Sequence, residues 1–248
     1  MKNKILYTVS IMAMFALFGC GDDSSSGASD AAKKDGDSVE SADETTSQLY
    51  VLGSDFQSGE LRWREDGGIS EDYLSFHQDS KIVAVGSNLY VLEGAGADNV
   101  SLLDPATNKV KWQTSLEDYS NPRDIVKLGD KLWVALEGAE SFVQISSKDG
   151  KVKKTVKTNA FTSKGGTSPN LVDFETSGDT LFALFQRYVY DAETYTSTYP
   201  VGLLALYSEG GDLLDTIPLK TKNPMQMKML DGELYVATQG EYNEFFGT

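Results

Sequence analysis

Polar and charged side chains recur beside the ends of short apolar runs, at places where a ligand site can form. Seven of them are candidate ligand-binding residues: His77, Glu93, Arg123, Asp124, Glu137, Arg187 and Gln226. A candidate recognition loop carries four tyrosines: Tyr188, Tyr190, Tyr195 and Tyr199. Tyrosine on an exposed loop gives a large contact area with a polar tip, which suits recognition of a glycan or a protein. The structural alternative is an extended hairpin whose tyrosines pack on a neighbouring element.

These residue types favour binding over catalysis. His77 is the only histidine and no Gly-x-Ser-x-Gly motif occurs, so a Ser–His–Asp hydrolase is disfavoured. No glycine-rich phosphate loop leads from a strand into a helix. We therefore assign no catalytic residue, no metal ligand and no cofactor. Calcium held by the carboxylates and Asn170 stays open, because oxygen atoms are the ligands that calcium prefers.

The candidates lie on a recurring pair of strands. In the copy from Asn121 to Ala135, two apolar runs flank Gly129-Asp130, which is the signature of a β-hairpin. Three related segments turn at Gly86-Ser87, Gly178-Asp179 and Asp231-Gly232. The leucines that follow these turns are Leu89, Leu132, Leu181 and Leu234. They are 43, 49 and 53 residues apart, which is the period of a four-stranded repeat.

Each repeat also has a second strand pair, which begins at Val100–Leu103, Phe142–Ile145 and Leu203–Leu206. The stretch Asp-Pro-Ala-Thr-Asn-Lys-Val-Lys-Trp at 104–112 resembles the quinoprotein-like and YVTN-type propeller repeat, in which such a turn joins the two outer strands. The resemblance implies an all-β fold, a β-propeller of four-stranded antiparallel blades. A β-sandwich is the alternative, but a sandwich needs no internal repeat.

The repeat predicts three complete blades and two half-blades. Tyr50 to Trp63 matches an outer pair, with Trp63 aligned to Trp112, and Met225 to Thr238 matches an inner pair. The two half-blades either join into one composite blade or belong to a longer propeller, of which this sequence is a truncated part. We favour the truncated propeller. We also expect Trp63, Trp112 and Trp133 at equivalent packing positions.

In a propeller the innermost strands begin, and the second strands end, at one face. We therefore expect the candidate residues to surround the mouth of a central channel. Glu93 and Glu137 are predicted at the same place in successive blades, because each begins a Glu-Gly-Ala sequence.

The first twenty residues have the pattern of a targeting signal. Lys2 and Lys4 precede an apolar run, Ile5 to Phe18, that is short for a membrane span. The run ends in Leu-Phe-Gly-Cys, which resembles the bacterial lipoprotein signal. The resemblance implies removal of residues 1–19 and acylation of Cys20, the only cysteine. Because aspartate does not follow Cys20, it also implies delivery to the outer membrane. A cleaved secretory peptide and an uncleaved anchor are the alternatives.

The sequence predicts a tether over residues 20–47 and a folded domain over residues 48–248. The tether holds eight acids, two lysines and no aromatic residue, a composition that predicts disorder. The domain carries 29 acids and 18 bases, and a net charge of −11 disfavours nucleic acid as a partner.

These features predict a non-enzymatic envelope lipoprotein, bound to the outer membrane through its lipid anchor and either surface-exposed or periplasmic. Its propeller would bind a protein or glycan at the channel mouth. Two alternatives stay open: a periplasmic scaffold for outer-membrane assembly, and a metal-dependent propeller enzyme such as a lactonase or lyase.

Overall fold

The structure, a computed structural model, describes residues 48–94 and 96–240. The predicted signal peptide, Cys20 and the tether lie outside these residues. Within them the chain forms twenty β-strands and a single short 3-10 turn at Asn159–Phe161. No helix of this part is long and apolar enough to cross a membrane.

Five antiparallel sheets follow one another along the chain, and we number them blades 1 to 5. Blade 1 contains β1 (Tyr50–Ser54), β2 (Gly59–Glu65), β3 (Gly68–Ile69) and β4 (Leu74–Phe76). Blade 2 contains β5 (Ser80–Val85), β6 (Asn88–Glu93), β7 (Asn99–Asp104) and β8 (Lys109–Ser115). Blade 3 contains β9 (Pro122–Leu128), β10 (Lys131–Leu136), β11 (Ser141–Ile145) and β12 (Val152–Lys157).

Blade 4 carries an insertion between its second and third strands. It contains β13 (Leu171–Ser177), β14 (Thr180–Phe185), β17 (Val201–Ser208) and β18 (Leu213–Lys222). The insertion is a separate hairpin of β15 (Val189–Asp191) and β16 (Thr196–Thr198). Blade 5 is the hairpin of β19 (Pro224–Leu230) and β20 (Glu233–Thr238). The predicted four-stranded antiparallel sheets are thus confirmed in blades 2, 3 and 4, and the predicted last strand pair is confirmed in blade 5.

Blade 1 differs from the predicted outer pair. β1 and β2 do pair, with Tyr50 opposite Trp63. However, β4 occupies the other edge of β2, with Gly59 opposite Phe76. β2 is therefore a central strand, whereas β8, which carries Trp112, pairs only with β7. Gly59 permits this arrangement, because a Cβ atom there would lie 2.7 Å from the carbonyl oxygen of His77.

The innermost strands of blades 2 to 5 lie side by side in chain order, with β9 contacting β5 and β13, and β13 contacting β19. Two carboxylates connect them. Asp124 Oδ2 accepts a hydrogen bond of 3.0 Å from the Phe174 backbone, and Asp173 Oδ2 accepts one of 2.7 Å from the Met227 backbone. The equivalent ends of neighbouring blades are therefore held close to each other, as a shared rim requires.

Apolar faces of adjacent blades pack together to form the core. Between blades 3 and 4, the ring of Phe142 meets Trp133, Phe174 and Tyr207 edge-on, at centroid distances of 5.4, 5.3 and 4.9 Å. Such edge-to-face pairs stabilise a core beyond their buried area.

We had expected the three tryptophans at equivalent positions of the repeat. The structure places them at different positions. Trp133 is fully buried on the second strand of blade 3, whereas Trp112 is half-buried on the fourth strand of blade 2. Trp63 is buried on the central strand of blade 1. All three pack within or between blades, but from different strands of the repeat.

Candidate functional site

Three asparagines precede the innermost strands of blades 3, 4 and 5 in the same conformation. They are Asn121, Asn170 and Asn223, with φ angles of 50°, 55° and 51°. Asparagine tolerates this left-handed region better than other residues with a side chain, apart from aspartate. Each asparagine carbonyl accepts a 3.0 Å hydrogen bond from the residue after the second strand, namely Glu137, Gln186 and Gln239. The loops at one end of each blade are thereby tied together.

Two adjoining clefts open at this end of the blades. Cleft 1, of about 210 Å³, is lined by Gly96, Tyr119, Asn121, Glu137, Gly138, Thr167, Ser168, Asn170 and Tyr188. Cleft 2, of about 470 Å³, is lined by Gly165, Gly166, Thr167, Asn170, Tyr188, Tyr190, Ser197 and Tyr199. The clefts share Thr167, Asn170 and Tyr188, so one extended ligand can occupy both.

Asn170 lies where the two clefts meet and carries an unsatisfied acceptor. Its side chain is 5% exposed, and Oδ1 has no hydrogen-bond partner among the described residues. The orientation of the amide is fixed by Ser168, whose hydroxyl donates its single proton to the Glu137 carbonyl at 2.6 Å. That hydroxyl can then only accept from Asn170 Nδ2, at 3.1 Å. The free group of Asn170 is therefore its oxygen, and burying such an acceptor without a partner costs about 1–3 kcal/mol.

Glu137 is the one charged side chain among the described residues that line the two clefts. Its Oε2 forms an ion pair with Arg123 Nε at 2.8 Å and accepts a hydrogen bond of 2.7 Å from Asn121 Nδ2. Burial raises the pKa of the Glu137 carboxyl, the nearby Arg123 lowers it, and the carboxylate of Asp79 raises it. Glu137 is 8% exposed, so its carboxylate acts as a paired, recessed acceptor.

The inserted hairpin presents its tyrosines to one side. Tyr190 and Tyr199 line cleft 2, whereas Val189 and Thr198 line a separate cleft. This division follows the two-residue alternation of side chains along a strand. Tyr188 and Tyr199 pack with ring centroids 6.0 Å apart. Burial raises the pKa of the Tyr188 hydroxyl, with a further contribution from Glu137.

The tip of the hairpin lies outside the clefts. Tyr195 is 81% exposed and lines neither cleft 1 nor cleft 2. Of the four predicted recognition tyrosines, the structure therefore brings together Tyr188, Tyr190 and Tyr199 at the rim and leaves Tyr195 apart.

Glu93 does not occupy the same place as Glu137, and this part of our prediction was wrong. Glu93 is the last residue of β6 and pairs with Ser80, whereas Glu137 follows the end of β10. Counted from the aligned leucines, Glu93 comes one residue earlier than Glu137, and a shift of one residue turns a strand side chain to the other face. Glu93 instead accepts hydrogen bonds of 2.9 Å from the His77 backbone and from Gln113.

Three further candidates lie away from the two clefts. His77 is half-buried in the loop before β5, where its Nδ1 accepts a 3.1 Å hydrogen bond from the Asp79 backbone. Gln226 is half-buried on β19 in blade 5. Arg187 donates from Nε to the Phe161 carbonyl at 3.0 Å and from Nη1 to the Val201 carbonyl at 3.3 Å. Arg187 lines the separate cleft, of about 380 Å³, beside Lys164.

Asp124, the remaining candidate, forms a buried pair with Asp173. Both residues are 6% exposed, and their carboxyl groups lie within hydrogen-bonding reach of each other. Burial raises the pKa of both groups, and repulsion by Asp124 helps to raise the pKa of Asp173 to about 7. Lys81 Nζ lies 3.9 Å from Asp124 Oδ1. The pair joins two innermost strands, and neither residue lines the two rim clefts.

Tyr119, Thr167 and Ser168 line cleft 1 but were not predicted as site residues from the sequence. Each lies just before a predicted Asn-Pro or Pro-Asn turn, and this adjacency was the available signal. The described residues contain no group of three or more His, Cys, Asp or Glu side chains placed to hold a metal ion.

No protein-family model matches this chain, and no curated protein matches it. Solved structures do resemble it, among them the following two. The hydrazine synthase of Kuenenia stuttgartiensis is 15% identical with a TM-score of 0.55, over 76% of this chain and 51% of the other. The protein KlHsv2 with loop 6CD replaced by a Gly-Ser linker is 8% identical with a TM-score of 0.52, over 76% of this chain and 58% of the other. The chain thus spans about half the length of the synthase chain, and the likeness shows a propeller-like all-β fold.

Proposed function

We propose that this propeller-like chain is a binding module of the bacterial envelope, which holds a protein or glycan ligand in the two rim clefts. The observation that carries the proposal is the pair of adjoining clefts at one end of the blades, which share Thr167, Asn170 and Tyr188. The hydroxyl and amide groups of this shared lining can exchange hydrogen bonds with a polar ligand. Clefts formed by loops on a rigid scaffold are common places for recognition.

The lining of the clefts supports binding rather than turnover. Among the described residues it contains no histidine, cysteine or lysine, and its one carboxylate there, Glu137, is already paired with Arg123. A general acid or base must be free to exchange a proton with the substrate. The assembly scaffold and the metal-dependent enzyme stay untested predictions.

The anchoring proposal rests on the amino-terminal sequence alone. We propose that Cys20 carries the lipid and that the acidic tether links the domain to the outer membrane. Labelling of growing cells with a clickable palmitate analogue should mark the wild-type protein and not Cys20→Ser. Labelling of Cys20→Ser would contradict the anchor, and protease treatment of intact cells would distinguish a surface from a periplasmic location.

Obstruction of the clefts tests the binding function. Thr167 is exposed and lines both clefts, so Thr167→Arg should fill them with little disturbance of the core. Thr107 is also exposed but lies in the β7–β8 turn, at the opposite end of its blade, and Thr107→Arg is the matched control.

The full-length protein, in detergent, would be applied to an array of oligosaccharides and an array of peptides. We expect wild type and Thr107→Arg to bind the same probes and Thr167→Arg to lose them. Binding that survives Thr167→Arg, or no binding by wild type to either array, would overturn the proposed function.

A further inference from the structure

We infer that the ligand of the two clefts is an uncharged carbohydrate, with one sugar ring in cleft 1 and the adjoining ring in cleft 2. This inference rests on the proposed function and specifies its ligand class. It follows from the charge of the lining, from its hydrogen-bonding groups and from the placement of its aromatic rings.

The charge of the lining argues against an ionic ligand. Within residues 48–94 and 96–240, no lysine or arginine lines either cleft, so a carboxylate, sulfate or phosphate group would find no cationic partner among these residues. The excess of acids over bases in residues 48–248 would repel an anion further. A cationic ligand would gain little binding energy as well, because the Glu137 carboxylate is already paired with Arg123 at 2.8 Å.

The hydrogen-bonding groups match hydroxyls. Asn170 lines both clefts with an uncharged amide, and a sugar hydroxyl can pair with an amide without carrying a charge into the cleft. The hydroxyls of Thr167 and Ser197, also in the lining, can each donate and accept. Sugar hydroxyls have the same dual capacity. A ring that replaces water there can therefore keep the polar groups of the lining satisfied.

The aromatic rings supply an apolar platform beside these polar groups. Tyr188, Tyr190 and Tyr199 line cleft 2, and Tyr188 also borders cleft 1. A pyranose ring has one face of C–H bonds and a polar edge, so it can lie on a tyrosine while its hydroxyls reach the neighbouring groups. Cleft 2 has more than twice the volume of cleft 1, so it has room for the ring that adjoins the one in cleft 1.

A protein partner fits these features less well. Protein surfaces meet a binding face over a broad area, whereas these two clefts are of limited volume, about 210 and 470 Å³. The end of a glycan chain is small enough to enter them. Binding of peptides instead is one outcome of the test.

The test uses isothermal titration calorimetry with three probes. The first is a set of neutral oligosaccharides built from hexose and N-acetylhexosamine, the second is the same backbones bearing carboxylate or sulfate, and the third is any peptide that the array identifies. Full-length wild type should bind at least one neutral oligosaccharide, and should bind its acidic derivatives at least tenfold more weakly.

Two pairs of variants locate the interaction. Asn170→Gly removes the amide but keeps the left-handed backbone, and Asn223→Gly makes the same change in blade 5, away from both clefts. We expect Asn170→Gly to weaken binding at least tenfold, about 1.4 kcal/mol, and Asn223→Gly to change it less than twofold. Tyr190 and Tyr235 are 54% and 53% exposed on their strands. Tyr190→Ala should weaken binding at least fivefold, and Tyr235→Ala should have no effect.

The outcomes separate this inference from the proposed function. Peptide binding that Thr167→Arg abolishes would keep the proposed function and overturn the carbohydrate inference. Tighter binding of the acidic oligosaccharides, or equal losses in Asn170→Gly and Asn223→Gly, would also overturn the inference alone. Absence of any binding that depends on Thr167 would overturn both.

Discussion

The buried carboxyl pair of Asp124 and Asp173 makes the stability of the domain depend on pH. Asp173 Oδ2 accepts from the Met227 backbone at 2.7 Å, and the two carboxyl groups face each other with Lys81 beside Asp124. Asp173→Asn replaces the protonated acid by a group of the same shape. The amide oxygen can still accept from Met227, and the amide nitrogen can donate to Asp124 in place of the shared proton.

The expected magnitude follows from the pKa of Asp173, which rises from 3.8 to about 7 in the folded chain. Between these values the folded state holds a proton that the unfolded state has lost, so the free energy of unfolding falls as pH rises. One proton corresponds to about 1.4 kcal/mol per pH unit, and the full interval to at most about 4 kcal/mol. Asp173→Asn should therefore match wild type near pH 4 and be more stable by about 2–4 kcal/mol near pH 8.

Urea denaturation between pH 4 and pH 8 measures this difference, with fluorescence of the buried Trp133 as the signal. Asp179→Asn, at an exposed turn residue of the same blade, is the control and should leave the pH dependence unchanged. If the curves of Asp173→Asn and wild type stay parallel from pH 4 to pH 8, the protonated carboxyl pair does not exist and the reasoning fails.

Three further predictions concern the core and the rim. Phe142→Ala removes the ring shared by three aromatic side chains and should lower the free energy of unfolding by about 3–5 kcal/mol; a loss under 1 kcal/mol would contradict the packing between blades 3 and 4. Gly138→Ala would place Cβ 1.9 Å from the backbone oxygen of Tyr119 and should lower the free energy of unfolding by about 1–3 kcal/mol. In the control Gly53→Ala the new Cβ meets nothing within 4 Å, so the loss should be smaller. Thermal unfolding of both variants measures the difference. Arg123→Gln removes the cation beside Glu137 and should raise the pKa of Glu137, measured by carbon NMR titration; an unchanged pKa would exclude this ion pair in solution.

The strands and hairpins were predictable because each depends on neighbouring residues. Gly129-Asp130 and Asp231-Gly232 lie between apolar runs, and the structure places hairpin turns at both. The position of β4 was not predictable in this way. Its pairing with β2 depends on the missing side chain of Gly59, opposite Phe76, which no periodicity reports.

The site was predictable only in part, because some of it depends on contacts between residues that are far apart in the sequence. Tyr188 and Glu137 could be named from their places after strands, and both line cleft 1. The unsatisfied state of Asn170 depends on Ser168 donating its proton to the Glu137 carbonyl, a contact across 31 positions in the sequence. The one-residue error at Glu93 arose because the similar Glu-Gly-Ala sequences start at different points: Glu93 is the last residue of β6, whereas Glu137 is the first residue after β10.

The central claim is that loops of separate blades form one binding rim. NMR of the asparagine side chains tests this claim most directly. The full-length protein would be labelled with ¹⁵N-asparagine and titrated with the probe that binds it most tightly. We predict that the side-chain amide signals of Asn121 and Asn170, which come from different blades, shift together at the same ligand concentration. The signal of Asn223 should stay in place. Shifts at Asn223 without shifts at Asn121 and Asn170 would place the ligand elsewhere and contradict the account.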